Sequence, residues 1–367
     1  MPEIWIPFGG IETLVTVQAE NLGAVVEPGA DGETPDIERL AELARSASAI
    51  FVTDFAPTTM ELLRAMTPAI GAAQSLGFFS AAPKRIEGSV PELKGKVATL
   101  PPPLPSAEDK GPVIVQQLTQ PGVKLMLGTA KPDPLFGIVD AKVQACLNWV
   151  ARSHSAAAQA RKGMEPEPFQ KTEAYSEIET IAKGITDAHF LTAVPRAGKI
   201  RTVMEDAPFD AIKNSFVKTS VQQTRGMIVG AGGRGFDDTL SAAIRGVWNV
   251  LPGLRRTGSV LLIAECSEGI GSAALEMLVT GRLSGEGERK REKYVDGLEE
   301  VFYLSKLKEE YDIMLLSGMP ETYAGSKLGL TTARGSAEAV GRMLNKVGRS
   351  GKLNVVPRAP ECLVESA

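Results

Sequence analysis

Apolar positions in the first half of the chain alternate between short continuous runs and helical spacing. The segments EIWIPFG and ETLVTVQ are typical of a hairpin, whereas DIERLAELARSA has the i, i+3, i+4 spacing of an amphipathic helix. SAIFVTDFAP indicates a buried strand that ends in a polar turn. After a proline-rich tract at residues 100–112, VKLMLGTA indicates a further apolar strand. This alternation predicts an α/β fold.

A second series of the same kind begins near Gly226. It predicts a strand in GMIVGAGG, a helix in DDTLSAAIRGVWNVL, a strand in GSVLLIAEC and a helix in SAALEMLVTGRL, with closing strands in DIMLLSG and KLNVVPRAP. The charged stretch SGEGERKREKYVDGLEE between them is expected to be a solvated loop and helix. We therefore predict two α/β domains, residues 1–212 and 213–367, that meet near residues 205–225 with a cleft between them.

The location of that cleft follows from the general behaviour of open α/β sheets. Ligands collect beyond the carboxyl ends of the strands. The polar ends of VTDFAP, LGTAKPDP and VGAGGRG are therefore expected to face one shared cleft.

The composition of the chain argues against several kinds of binding partner. A net charge of −4 without a dense run of Lys and Arg argues against binding to nucleic acid, which needs clustered cations. The chain has no basic leader and no apolar run near the roughly 20 residues that span a bilayer, so we expect a cytoplasmic protein without a membrane partner. The three cysteines lie far apart without a C-x-x-C pair, which argues against a disulfide framework or a cysteine zinc site.

Two glycine turns raise the alternative of a nucleotide site. GAGGRG, at residues 230–235, satisfies G-x-G-x-x-G after a strand. The acidic residue that such a fingerprint needs about 20 residues later is missing, because Glu265 lies further away. The next helix is also expected to begin after Gly235, with a cap at Asp238 or Thr239. The second turn, in AECSEGIGSAA, is equally well explained as a tight strand-to-helix connection.

At residues 232–271 the sequence GGRGFDDTLSAAIRGVWNVLPGLRRTGSVLLIAECSEGIG resembles the C-terminal domain of the nickel-dependent lactate racemase family. The resemblance extends to the opening IWIPFGGIETLVTVQAENLGAVVEP and to FVTDFAP. It implies a two-domain α/β fold with an interdomain cleft, and racemase or epimerase activity on a 2-hydroxy acid. It also implies a nickel pincer nucleotide attached to a lysine and ligated by a histidine.

The same resemblance assigns roles within Leu127–His154. It implies Lys142 as the residue that binds the cofactor and His154 as the nickel ligand, with Asp54 and Arg245 in contact with a small-molecule substrate. A neutral imidazole is a suitable nickel ligand. Taken by themselves, Lys142 and Arg245 also fit solvent-facing helix positions, and His154 fits an ordinary helix residue. His189, the only other histidine, is expected to be structural.

The sequence departs from the family at the groups that transfer protons. A racemase needs a base on each face of its substrate. Asp133 stands where the resemblance implies one catalytic histidine, and SLGFFSAAPKRIEGSVPELKG contains no counterpart of the other. In the second domain, Ser241, Ala242 and Arg245 replace the family's tyrosine, glutamine and lysine. Asp133 is nevertheless a candidate base if burial makes its proton affinity high enough.

Three functions follow as hypotheses. The first is a diverged 2-hydroxy acid racemase or epimerase that uses the nickel pincer nucleotide, which requires Lys142 and His154 to face one cleft. The second is a relative without catalytic activity that binds a small molecule or has a regulatory role. The third is an enzyme with NAD-type chemistry at residues 230–235, which requires an accessible glycine turn.

Overall fold

The computed structural model describes most of the chain, and the described residues are 2–29, 35–70, 76–101, 103, 113–151, 169–283 and 295–367. His154 lies outside these residues, as do most of the proline-rich tract and most of the charged stretch before residue 295.

The amino-terminal part forms a hairpin followed by the first α/β units, as the hydrophobic pattern predicts. Its elements are β1 (Glu3–Phe8), β2 (Ile11–Thr16), β3 (Leu22–Val25), α1 (Ile37–Ser46), β4 (Ala49–Val52), α2 (Pro57–Ile70), β5 (Gly77–Ser80), α3 (Pro83–Ser89) and β6 (Val97–Thr99). Helix α1 begins where the Asp36 carboxylate accepts a hydrogen bond from the Arg39 amide.

The middle part contains short hairpin strands that the pattern does not reveal. Its elements are β7 (Val113–Ile114), α4 (Gln116–Thr119), β8 (Lys124–Thr129), β9 (Lys131–Asp133), β10 (Gly137–Val139), α5 (Ala141–Trp149), β11 (Val150–Ala151), α6 (Glu173–Ala182), β12 (Ala188–Arg196), β13 (Lys199–Glu205), α7 (Phe209–Ser215) and β14 (Val217–Val221).

The carboxyl-terminal part follows the predicted order. Its elements are β15 (Thr224–Gly230), α8 (Leu240–Trp248), β16 (Leu254–Ile263), α9 (Ala273–Val279), α10 (Leu298–Glu310), β17 (Asp312–Leu316), β18 (Thr331–Ala333), α11 (Ser336–Val347), β19 (Leu353–Val356) and β20 (Cys362–Ser366). Single helical turns of other types lie at Ala19–Asn21, Pro91–Leu93, Leu251–Gly253, Thr322–Lys327 and Ala359–Glu361.

Two six-stranded sheets organise the described residues. The first has the order β13-β12-β8-β4-β5-β6, parallel except for the antiparallel edge strand β13. The second has the order β18-β17-β16-β15-β19-β3 and is wholly parallel. The predicted α/β fold class is confirmed.

The second sheet takes its edge strand from the other end of the chain. Strand β3 pairs with β19, with Leu22 opposite Leu353. The β1–β2 hairpin packs on the same sheet, where Ile6 and Val15 join a buried cluster with Ile228. The predicted boundary between residues 212 and 213 stays a prediction.

Helices or the hairpin cover both faces of each sheet, which is the arrangement that buried parallel strands require. Leu62 and Leu63 of α2 pack on one face of the first sheet. The largest cluster runs from Phe51 and Trp149 in the first half to Val229 in the second. Apolar packing therefore continues from one half into the other. No helix within the described ranges combines the length and apolar character needed to cross a bilayer.

Candidate functional site

The carboxyl ends of β4, β8 and β15 meet at one point between the two sheets. Asp54 follows β4, Lys131 follows β8, and Gly235 lies in the turn after β15. The Lys131 Nζ atom is 3.0 Å from Asp54 Oδ2 and donates a hydrogen bond to the Gly235 carbonyl at 3.3 Å. The predicted convergence of these three turns is confirmed.

A cavity of about 220 Å³ lies at this point. Both halves of the chain line it. The first contributes Asp54, Lys131, Asp133, Gln144, Leu147 and Asn148, and the second contributes Gly235, Phe236, Ser241, Ala242, Arg245 and Pro360. This volume suits a small molecule and falls below the roughly 300 Å³ at which pockets for drug-sized ligands begin.

Asp54 is held in a buried network of hydroxyl groups at the first turn of α2. Its Oδ1 atom accepts hydrogen bonds from the Thr59 hydroxyl and the Ala56 amide, and Oδ2 accepts one from the Thr129 amide at 3.3 Å. The Thr59 and Thr129 hydroxyls are 2.7 Å apart. These bonds fix the carboxylate, which in turn positions the Lys131 ammonium at the cavity.

Asp133 and Arg245 form an ion pair between the two halves of the chain. Asp133 Oδ1 accepts hydrogen bonds from the amides of Leu135 and Phe136 at 2.8 and 3.0 Å, and Oδ2 is 3.0 Å from an Arg245 guanidinium nitrogen. Both carboxylate oxygens therefore have partners. The role of Asp133 as a base stays a prediction.

Arg245 also binds the carboxylate of Glu300 on α10, which in addition accepts a hydrogen bond from the Ser241 hydroxyl. Burial alone would lower the pKa of Arg245, but the charges of Glu300, Asp133 and Glu299 raise that pKa well above its usual value. The guanidinium is therefore a permanent cation held between carboxylates of α10 and of the β9–β10 turn.

One face of α5 contributes uncharged polar groups to the cavity. Asp140 caps this helix by accepting a hydrogen bond from the Val143 amide. Gln144 accepts a hydrogen bond from the Thr53 hydroxyl and donates one to the Thr129 carbonyl, so its orientation is fixed. The Asn148 side-chain amide donates to the Thr53 carbonyl at 2.7 Å. Among the described residues the Asn148 Oδ1 atom has no partner, so it can accept a hydrogen bond from a ligand.

Lys142 lies on the other face of α5 and does not line the cavity within the described residues. Its Nζ atom is 3.8 Å from Glu179 of α6 and lies 5.8 Å from the centre of the Tyr175 ring. The Tyr175 hydroxyl donates to Asp140, whose pKa is raised by burial despite the nearby Lys142 charge.

This placement bears on the expected cofactor. The orientation of Lys142 towards α6 does not fit a covalent tether that reaches the cleft, and a cavity of about 220 Å³ is small for a nucleotide. The second expected group, His154, lies outside the described residues. The roles of Lys142 and His154 stay predictions.

The glycine turn after β15 is occupied by the protein itself. A Cβ atom on Gly235 would lie 2.7 Å from Ala56 Cα, and one on Gly233 would lie 2.9 Å from Pro7. The amides of Arg234 and Gly235 donate to the Gly9 carbonyl and the Asp238 carboxylate. The turn therefore has little room or donor capacity for a pyrophosphate. Helix α8 begins only at residue 240, after a Thr239 cap.

Sequence reasoning did not single out Lys131, Gln144 or Asn148. Lys131 was detectable in principle, because it directly follows a predicted strand at the end where ligands bind. Gln144 and Asn148 share a helix face four residues apart, but the sequence alone does not show which face of α5 meets the cleft.

A comparison with models of known protein families finds none that matches this chain, and a comparison with curated proteins finds no match either. Among solved structures, the lactate racemase apoprotein from Thermoanaerobacterium thermosaccharolyticum is similar, with a TM-score of 0.74 and 14% sequence identity. The similarity covers 99% of this chain and 100% of that one. The chain therefore has a two-domain α/β fold similar to that of lactate racemase.

Proposed function

We propose that the cleft binds a small carboxylate of the 2-hydroxy acid type. The observation that carries this proposal is the arrangement of charge around the cavity. The side chains of Lys131 and Arg245 are 23% and 27% exposed, whereas those of Asp54, Asp133 and Glu300 are 10%, 3% and 1% exposed. The cations thus form the accessible surface, and the carboxylates that position them lie behind it.

The proposed contacts follow from the chemistry of the lining groups. The Lys131 ammonium and an edge of the Arg245 guanidinium offer charged donors to a carboxylate from two sides of the cavity. Asn148 Oδ1 offers an acceptor for a ligand hydroxyl. A molecule with a carboxylate beside a hydroxyl group matches this set, and the cavity volume favours one of about the size of lactate.

The experiment is calorimetric titration of the protein with L-lactate, D-lactate and the uncharged analogue lactamide. Lactate should bind more tightly than lactamide. Lys131→Gln should weaken lactate binding about tenfold or more, because a hydrogen bond to a charged group contributes about 1.5–3 kcal/mol.

Lys142→Gln is the matched control, since it removes a lysine that lies outside the cavity, and it should bind lactate as the wild type does. Equal binding of lactamide and lactate, or an unchanged affinity in Lys131→Gln, would contradict the proposal. So would the absence of lactate binding at millimolar concentrations.

The second candidate is a 2-hydroxy acid racemase or epimerase that uses a nickel pincer nucleotide. It is favoured by the similarity of the fold to a lactate racemase apoprotein. Its test is intact mass and nickel analysis of protein made together with cofactor-synthesis enzymes. This candidate expects a nucleotide-sized adduct that Lys142→Ala abolishes, and nickel that His154→Ala reduces. Protein with neither added mass nor nickel would exclude it and leave the binding function.

A further inference from the structure

A second group of polar side chains lies in the first sheet at the end of the strands away from the cleft. His189 is the second residue of β12, Glu205 ends β13, and Asp206 follows. Leu191 pairs with Glu205 in the antiparallel register, so His189, two residues earlier, projects from the same face as Glu205. His189 pairs with Leu125 near the start of β8, whereas the cleft lies beyond the end of that strand.

The three side chains place one ligand atom each around a common point. His189 Nδ1 is 3.0 Å from Glu205 Oε1 and 3.2 Å from Asp206 Oδ2, and the three atoms lie within 4.8 Å of one another. Nδ1 is buried, yet neither contact has the geometry of a hydrogen bond. The ring nitrogen therefore lies between two carboxylates without a hydrogen bond to either.

The two separations from His189 Nδ1, 3.0 and 3.2 Å, match those of neighbouring ligand atoms on one metal ion. With bonds of about 2.0–2.2 Å to nitrogen and oxygen, adjacent ligands of a tetrahedral or octahedral ion lie about 2.9–3.5 Å apart. The imidazole and carboxylate donors suit first-row divalent ions such as Zn²⁺.

Each carboxylate is held by its second oxygen, as the ligands of metal sites usually are. Glu205 Oε2 accepts a hydrogen bond from Arg39 of α1 at 2.8 Å. Asp206 Oδ1 accepts one from the Phe190 amide at 2.8 Å, and the Asp206 amide donates to the Phe190 carbonyl at 2.9 Å. One oxygen of each carboxylate is thus fixed by the protein, and the other faces His189.

We propose that His189, Glu205 and Asp206 bind a divalent transition-metal ion of the Zn²⁺ type, with water completing its coordination. The site is separate from the cleft and does not depend on the function proposed for it. An ion there would join the start of β12 to the end of β13.

The test is titration of metal-stripped full-length protein with Zn²⁺ in competition with a chromophoric chelator. The wild type should bind one Zn²⁺ per chain at this site, and His189→Ala should lower the affinity at least about tenfold. Asp206→Asn should do the same. Its backbone is left-handed, with φ of 47°, which asparagine tolerates, and the amide oxygen can still accept from Phe190.

Glu338→Gln is the control, because it changes an exposed carboxylate on α11 outside the site, and it should keep the affinity of the wild type. The proposal is overturned if the wild type takes up no Zn²⁺ at micromolar concentrations. It is also overturned if His189→Ala and Asp206→Asn bind Zn²⁺ as tightly as the wild type.

Discussion

Replacing Arg245 with methionine should destabilise the whole protein, because it leaves two buried carboxylates without their cation. Asp133 and Glu300 are both buried, and Arg245 contacts each of them. Removing one partner of a buried ion pair costs about 3–5 kcal/mol. With an unfolding entropy of about 2.1 cal/mol/K per residue over 367 residues, that cost lowers the Tm by about 4–6 °C. Differential scanning calorimetry at pH 7 measures it directly.

The control is Arg342→Met, which removes an exposed pair with Glu338 one helical turn away and should shift the Tm by about 1 °C or less. An Arg245→Met variant no less stable than Arg342→Met would show that water reaches these carboxylates, and would refute the reasoning.

The pKa of Asp237 is raised, mainly by burial and against hydrogen bonds from the amides of Gly9 and Glu265. Asp237 therefore stabilises the fold below the usual carboxyl pKa, and this contribution is lost as pH rises through the raised pKa. The Tm of Asp237→Asn should rise relative to that of the wild type from pH 4 to pH 7. Parallel Tm curves for the two proteins would contradict this. Burial raises the pKa of the thiols of Cys146, Cys266 and Cys362 to about 12. A thiol reagent at pH 8 should therefore label none of them in the native protein and all three after denaturation, and labelling of the native protein would contradict this. Gly235→Ala should lower stability by about 1–3 kcal/mol in urea unfolding, because φ is 83° and the added Cβ would meet Ala56; wild-type stability would show that the turn can move away.

The convergence at the cleft could be predicted because it depends on local pattern and one general rule. Each apolar run ends in a polar turn, and the carboxyl ends of parallel strands share an edge of the sheet. The pattern and this rule together predict from the sequence that Asp54 and the β15 turn lie close together. It also placed Asp133 nearby, although not its ion pair with Arg245, which joins helix α8 to a turn more than 100 residues earlier in the chain.

The orientation of Lys142 could not be predicted in the same way. Gln144 lies two positions further along α5, and two positions correspond to roughly 200° around a helix, so both side chains cannot face the cavity. The resemblance of short motifs implied Lys142 for the cleft, whereas packing of α5 against Tyr175 and Glu179 turns its side chain towards α6. Tertiary contacts determine which face of α5 meets the cavity, and the hydrophobic periodicity of the sequence does not predict those contacts.

The pairing of β3 with β19 has a consequence for the order in which the protein is made. All strands of the first sheet lie before residue 206, so that sheet can form while the rest is still being translated. Strand β3, although synthesised before that sheet, can pair with β19 only once Leu353–Val356 has left the ribosome. Until then β3 is unpaired, and the cluster of Ile6 and Val15 lacks its members Leu353 and Val355 from β19. A nascent chain stalled before Leu353 therefore presents an unpaired strand edge beside a partly covered apolar hairpin, and such surfaces bind chaperones and start aggregation.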